Sequence, residues 1–175
     1  MDCTRRQVLK LAVVAVLAPH FARADSRDPE TALSREAREA LGSSPLLYLS
    51  PLRRDGTESR CHAEVWFAGA GVDAWVVTSA EAWRARSIGM GLIRARLWIG
   101  DLGRWDASGK TQAFRVLPTF LAEARRETTQ AAHDHALVLF GTKYTREWSS
   151  WGPRFKKGLA EGSRVLIRYR AIGGT

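Results

Sequence analysis

The sequence predicts an α+β fold: a six-stranded antiparallel β-barrel with helices after the third and fifth strands. Apolar and polar residues alternate over short segments, which is typical of strands with one buried face. Tight-turn sequences such as Arg53-Arg54-Asp55-Gly56 join neighbouring strands. Segments rich in helix-forming residues follow the third and fifth strands. With 175 residues, the chain is long enough to form one domain with a sizeable core.

Glycine residues mark the ends of most predicted helices. Residues 31–41 are rich in Ala, Glu, Arg and Leu and form a first helix that Gly42 ends. A second helix follows the third strand and ends near Gly89, a third covers residues 120–140, and a fourth begins at residue 143.

Closing the sheet into a barrel removes its exposed edges. The predicted strands cover residues 46–52, 60–68, 73–79, 93–99, 112–117 and 164–170.

The first 24 residues are typical of an export signal. Arg5-Arg6 precedes a short apolar run at 11–18, and Ala22-Arg23-Ala24 offers a cleavage site. The paired arginines resemble a twin-arginine signal, which implies an exported, periplasmic protein. An ordinary secretory signal and an uncleaved anchor are the alternatives. The predicted organisation is a signal peptide at 1–24, a linker and short helix at 25–44, and a barrel domain at 45–175.

Cysteine and histidine are sparse. Cleavage after residue 24 leaves Cys61 as the single cysteine, which excludes an internal disulfide. Cys61 lies an even number of positions before Val65 and Phe67, so it shares their strand face, which predicts a buried structural thiol. His133 and His135 are two apart, so they do not share a helix face, and we predict no metal site.

The stretch from Asp73 to Arg86 carries the strongest functional signal. An apolar strand ends in Thr78-Ser79, and a helix-forming segment with Arg84 and Arg86 follows. Ser79 is a good N-cap, and the free N–H groups at a helix start favour an anion. Arginine adds a forked, permanent positive charge. This arrangement suits a phosphate, although an ordinary capped turn before a solvated basic helix has the same pattern.

Residues 45–172 resemble the flavin-binding split-barrel superfamily, which includes pyridoxamine 5′-phosphate oxidase and deazaflavin-dependent reductases. The sharpest match is a strand, then Thr78-Ser79, then Arg84 six positions after the threonine. Ala82 departs from the pattern, because a serine is common there. The resemblance implies a six-stranded split barrel and FMN as cofactor, with deazaflavin or haem as alternatives. The implied cofactor-binding residues are Arg60, Thr78, Ser79, Arg84 and Arg86.

The second faces of the predicted strands carry arginine and tryptophan. Such faces suit a buried contact patch better than open surface, which favours a homodimer with the flavin site at the junction. The net charge of +9 could also indicate nucleic acid, but the arginines are spread over several strands and the leader directs the chain to export. The arginines and tryptophans on these second strand faces are Arg60, Arg94, Arg96, Arg164, Arg168, Trp66 and Trp98.

The sequence therefore favours a periplasmic FMN-binding oxidoreductase that acts on a small molecule, with no catalytic side chain assigned. Two alternatives stay open. The barrel could be a non-catalytic ligand-binding or interaction module, because fold alone does not fix function. A haem-binding relative would need an axial ligand, for which His62, His133 and His135 are the candidates.

The paired arginines of the leader give a direct test of the export route. Replacing Arg5→Lys and Arg6→Lys together keeps the charge but removes the paired arginines. We expect the precursor to accumulate in the cytoplasm, as measured by fractionation and immunoblotting. Normal export of the double variant would contradict twin-arginine export.

Overall fold

The computed structural model describes residues 32–103 and 109–173, so the predicted signal peptide and most of the predicted linker lie outside the described residues. No helix in these two stretches is long and apolar enough to cross a bilayer. The helices are α1 (Arg35–Ser43), α2 (Trp83–Gly89), α3 (Gln130–Lys143) and α4 (Trp148–Glu161). The strands are β1 (Leu46–Pro51), β2 (Ala63–Trp66), β3 (Ala68–Ala70), β4 (Asp73–Ser79), β5 (Arg94–Ile99), β6 (Thr119–Glu127) and β7 (Arg164–Ile172).

The strands form one sheet in the order β2-β1-β5-β6-β7-β4-β3, and all its pairs are antiparallel. Only Phe67 separates β2 from β3, so the two edge strands are consecutive along the chain. The sheet must therefore curl until its edges meet. Within the described residues no ladder joins β2 to β4, which leaves the barrel split between them. The predicted α+β split-barrel class is confirmed, with seven strands instead of six.

The predicted fifth strand at 112–117 is wrong. Ala113–Val116 forms a 3-10 helix, and Gln112 has a positive φ of 54° that an extended strand cannot accommodate. Phe114 is the buried residue of this turn and stacks on Tyr48 at 5.4 Å. The apolar residues in this segment therefore belong to a short helical turn that packs against the sheet, not to a strand within it.

The predicted helix at 120–140 is also wrong in its first half. Residues Thr119–Glu127 form the nine-residue strand β6, and the helix begins only after Thr129, whose side chain accepts a hydrogen bond from the N–H of Ala132. In β6, Phe120, Ala122 and Ala124 are buried on one face. Ala, Glu and Arg favour helices, but pairing with both β5 and β7 outweighs that local preference.

The predicted second strand is shorter than expected. Residues 60–62 precede β2 as a loop, and Cys61 is exposed, so the prediction of a buried thiol is wrong. The alternating pattern misled here because it continues through residues that pair with no neighbouring strand. Trp98 also differs from expectation: it is 2% exposed and lies beneath Arg115, so it is unavailable for a contact face.

Two large apolar cores and a small third cluster around Phe114 hold the described part of the fold. The inner core fills the barrel with alternate residues such as Leu49, Val76 and Ile167. The outer core lies between the other face of the sheet and helices α3 and α4. Tyr144, Trp148 and Trp151 all pack in the outer core. Helix α4 begins at Trp148, later than predicted, and continues through Pro153 to Glu161.

Tyr144 fastens the helical layer to the break between β2 and β3. Its hydroxyl accepts a hydrogen bond from the N–H of Phe67 at 3.0 Å and lies 2.8 Å from the carbonyl of the same residue. It also lies 2.6 Å from the carbonyl of Pro45, to which it donates. The hydroxyl has a single proton, so it satisfies the Phe67 N–H as an acceptor and the Pro45 carbonyl as a donor, at a point where the chain leaves the sheet ladder.

We expect Tyr144→Phe to lower the free energy of unfolding by about 1–3 kcal/mol, because it leaves buried backbone groups unsatisfied. Urea titration monitored by circular dichroism measures the change. Tyr48→Phe is the matched control, since the Tyr48 hydroxyl contacts Leu102 and Gly103, both of them exposed to water. Equal losses in the two variants would contradict a special role for Tyr144.

Candidate functional site

A pocket of about 270 Å³ opens at the split of the barrel. Its walls come from both sides of the gap and from the helices that cover it. Two arginines line this pocket, and no acidic residue of the described stretches does. The lining residues are Val65 and Trp66 of β2, Val77 of β4, Arg84 of α2, Trp151 and Phe155 of α4, and Arg164 of β7.

A three-residue turn after β4 delivers Arg84 to the pocket. Helix α2 begins at Trp83 with Ala82 at the N-cap, and no side chain caps it. The prediction that Ser79 caps this helix is wrong: its hydroxyl accepts a hydrogen bond from the N–H of Glu81 at 3.2 Å, within the turn. The helix spans only seven residues, so its N-terminus provides little of the expected anion site. The positive charge of the site comes from side chains.

Arg84 is mostly buried and has no counter-ion among the residues that the structure describes. Its Nε atom is buried with no hydrogen-bond partner among the described residues, and none of their carboxylates forms an ion pair with it. Burial lowers the pKa of Arg84 because the guanidinium loses hydration. Burial also raises the pKa of the nearby Tyr169, an effect that the positive charge of Arg84 partly offsets. A buried guanidinium in this state favours an anionic ligand.

Arg164 supplies the second positive charge. It is the first residue of β7 and pairs in register with Ser79, which brings it beside the end of β4. Its guanidinium lies 5.3 Å from the ring centre of Phe155 and 5.9 Å from that of Trp151. Gly158 makes room for it, because a Cβ atom there would lie 2.7 Å from the Arg164 Cγ and Cδ atoms.

Stacked aromatic rings form the apolar side of the pocket. Trp66 stacks on Tyr144 with ring centres 4.5 Å apart, and Trp151 meets Trp66 edge-on at 5.7 Å. Because Tyr144 is fixed by three backbone groups, the Trp66 ring is held from behind. The pocket therefore combines two cations with rigid aromatic faces, which suits a planar ligand with an anionic group.

The structure separates most of the residues predicted to bind the cofactor. Arg84 lines the pocket, whereas Arg60, Ser79 and Arg86 are exposed and do not line it. Thr78 is 2% exposed, and its Oγ1 has no partner among the described residues. Since side chains alternate along a strand and Val77 lines the pocket, Thr78 points to the opposite face of β4.

Sequence reasoning placed Arg164 on a strand face without assigning it to the site. The missing information was the pairing of β4 with β7, because 84 residues lie between Ser79 and its partner Arg164 in the sequence. The run of aromatics in α4 was a usable signal. Gly158 lies one helical turn after Arg154 and Phe155, and its missing side chain marks a close approach.

None of the described histidines lines the pocket. The Nε2 atom of His62 is 3.4 Å from both Glu58 and Arg115, so it is engaged in a separate polar cluster. His133 contacts the carbonyl of Glu127 at 3.1 Å, and His135 lies edge-on to Trp75. Within the described parts of the chain, no three His, Cys, Asp or Glu residues are grouped to hold a metal ion.

Comparisons with known proteins identify the fold. No protein-family model matches the chain, and no curated protein is significantly similar to it. Among solved structures it is similar to HutZ, described as the heme storage protein of Vibrio cholerae, with a TM-score of 0.55 and 15% identity over 81% of this chain and 92% of that chain. It is also similar to the conserved protein Rv2991 of Mycobacterium tuberculosis, with a TM-score of 0.53 and 19% identity over 79% and 81% of the two chains.

A third similar structure is a proposed 5-nitroimidazole antibiotic resistance protein from Bacteroides thetaiotaomicron, with a TM-score of 0.52 and 8% identity over 79% of this chain and 80% of that chain. At such low identities the likeness concerns the backbone alone. The three matches cover 80–92% of those chains and 79–81% of this chain. The protein therefore has the split-barrel fold, and its ligand must be argued from its own residues.

Proposed function

We propose that this protein is an exported flavoprotein that binds FMN at the split of its barrel and acts as an oxidoreductase on a small molecule. The observation that carries the proposal is Arg84, whose Nε is buried with no partner among the described residues, in a pocket that a second arginine, Arg164, also lines. Folding would not place two positive charges in one aromatic pocket without cost. A phosphate bound there would offset that cost.

The pocket fits one part of a phosphorylated flavin. Arg84 and Arg164 would hold the phosphate, and Trp66 and Trp151 would contact the ligand's apolar surface. The volume of about 270 Å³ lies at the lower limit of ligand sites, so the ring system would extend beyond it. When bound, a flavin supplies the electron chemistry, while these residues anchor and orient it.

Haem is the second candidate, because HutZ is described as a heme storage protein and has the same fold. Two arginines would suit the propionate carboxylates as well as a phosphate. Against haem, no described histidine lines the pocket to act as an axial ligand. A deazaflavin would use the same anchor, and a non-catalytic binding module would bind a ligand without turnover.

The visible spectrum of protein purified from its native compartment separates these candidates. A flavin gives two broad bands, a deazaflavin absorbs at shorter wavelength, and haem gives a Soret band. A flavin spectrum without reduction by any tested donor would favour the binding module. A colourless protein that takes up none of the three would overturn the proposal.

Arg84→Ala should weaken the binding of FMN much more than the binding of riboflavin, which lacks the phosphate. A charge-assisted contact contributes on the order of 1.5–3 kcal/mol, so we expect a loss of roughly ten- to a hundredfold for FMN. Fluorescence titration with both ligands measures it. Arg35→Ala is the control, since this arginine is exposed on α1. An equal loss for both ligands would show that Arg84 supports the fold instead.

We also propose that the protein is a symmetric homodimer whose two copies complete the site. Part of a bound flavin would lie outside the pocket, where a second chain can cover it. Arg96 and Arg168 are only partly exposed, and Trp66 also retains accessible surface beside the split. Isologous pairing is the commonest way to bury such a patch.

The dimer proposal predicts a molar mass of twice the chain mass in solution. Light scattering on the purified protein at micromolar concentration measures it. We expect Trp66→Ala to reduce both dimer formation and flavin affinity, because one residue serves the pocket and the proposed contact. A monomer that binds flavin with full affinity would contradict a shared site.

A further inference from the structure

Two loops at the beginning of β5 form a second charged surface, separate from the pocket. The turn after β1 carries Arg53 and Arg54, and the turn between α2 and β5 carries Met90 and Ile93. Two depressions of about 240 and 260 Å³ lie between these loops, and both are lined by Arg53, Arg54 and Leu92. Arg94 also lines the first depression. We call this surface the basic tip; it comprises Arg53, Arg54, Met90, Leu92, Ile93 and Arg94.

Backbone hydrogen bonds hold the first loop in place. The N–H of Arg53 donates to Thr57 at 2.8 Å, and the N–H of Gly56 donates to Arg53 at 3.0 Å. Gly56 adopts a φ of 81°, which the turn requires. Asp55 is engaged within the same turn, since its Oδ1 accepts bonds from the N–H and hydroxyl of Thr57. The two arginines therefore project from a fixed scaffold.

The second loop is equally constrained. The N–H of Leu92 donates to the carbonyl of Ser87 at 2.9 Å, and the N–H of Leu52 donates to Arg94 at 2.8 Å. Met90 is nevertheless 55% exposed and Ile93 39% exposed. Five large apolar side chains are exposed among the described residues, and these two lie within four positions of each other. A rigid loop that exposes Met and Ile together marks a contact surface.

The basic tip keeps an excess of positive charge, because its three arginines outnumber the two acids near them; one of these acids, Asp55, has its pKa lowered by the Thr57 hydrogen bonds and by Arg53. Arg53, Arg54 and Arg94 form no ion pair with any described carboxylate, in contrast to Arg115 and Arg170. The nearest acids by position are Asp55, which the turn engages, and Glu123, the cross-strand neighbour of Arg94. Three arginines thus surround two small depressions beside exposed apolar side chains.

We infer that the basic tip docks the protein on the surface of an anionic phospholipid bilayer. The arginines would contact lipid phosphates, and Met90 and Ile93 would enter the boundary between headgroups and acyl chains. Each depression is large enough for a headgroup phosphate. Docking at this tip does not depend on the proposed flavin, because no residue of the tip lines the pocket at the split.

A bilayer explains both properties of the tip, whereas the alternatives explain one. Nucleic acid would engage the arginines, but its phosphates give no reason to expose Met90 and Ile93. A second copy of the chain would cover the apolar residues, but isologous pairing would bring like charges together. An anionic bilayer offers phosphates and an apolar layer to one surface.

Cosedimentation of the full chain with vesicles tests the inference. Phosphatidylglycerol mixed with phosphatidylcholine provides the anionic surface, and phosphatidylcholine alone provides the neutral one. Each arginine near an anionic bilayer adds about fivefold to partitioning, so the double variant R53Q/R54Q should bind anionic vesicles about twenty-five-fold more weakly. K156Q/K157Q is the matched control, because it removes the same charge from exposed positions of α4. All variants carry the same apolar leader.

Met90→Gln separates the apolar contact from the charges. It should weaken binding to anionic vesicles without changing the salt dependence, which reports the arginines. Circular dichroism confirms that each variant is folded. Equal losses in the two double variants would show a general effect of net charge and overturn the inference. Unchanged vesicle binding in every variant would assign the binding to the leader and overturn the inference. Competition by duplex DNA, together with no effect of Met90→Gln, would assign the tip to nucleic acid and also overturn the inference.

Discussion

The structure depends on how the chain satisfies the backbone at Phe67. The two edges of the sheet are consecutive segments there, so the residue between them has no strand partner for its N–H and carbonyl groups. The Tyr144 hydroxyl contacts both groups and also reaches Pro45, at the entry to β1. One side chain thus fixes the split, the end of α3 and the position of Trp66, which stacks on the same ring. The site exists because the barrel stops short of closure at this point.

Two cations around the split, Lys143 and Arg164, pack on aromatic rings instead of acids. Lys143 lies 3.4 Å from the ring centre of Phe67, and its buried Nζ has no hydrogen-bond partner among the described residues. Burial lowers the pKa of Lys143 to about 8, although the ring favours the charged form. At Arg170, by contrast, a carboxylate neutralises the arginine: Asp73 accepts bonds from it at 2.9 and 3.1 Å and raises the pKa of Arg170. Partly buried positive charge without acids is therefore a feature of the split.

Strand β6 shows where sequence reasoning loses information. Its alternation of Phe120, Ala122 and Ala124 with polar residues is visible, but alanine, glutamate and arginine also favour a helix. The choice depends on two ladders, with β5 and with β7, that the segment itself does not encode. The reverse error occurred at 112–117, where a positive φ at Gln112 interrupts an apolar segment. Of the candidate site, Arg84 was found because it follows β4 directly, while Arg164 required knowledge of a distant pairing.

The sequence by itself determined the fold class, most strands and the position of Arg84 shortly after β4, because alternation, turns and local order depend on neighbouring residues. It also determined the excess of basic over acidic residues. Tertiary structure alone decided which arginines act together, since guanidinium groups converge only after β4 and β7 pair and α4 packs over them. It likewise buried Trp98 and exposed Cys61 against their local patterns. Burial and counter-ions are properties of the folded surface, so the electrostatics that define the pocket could be read only from the structure.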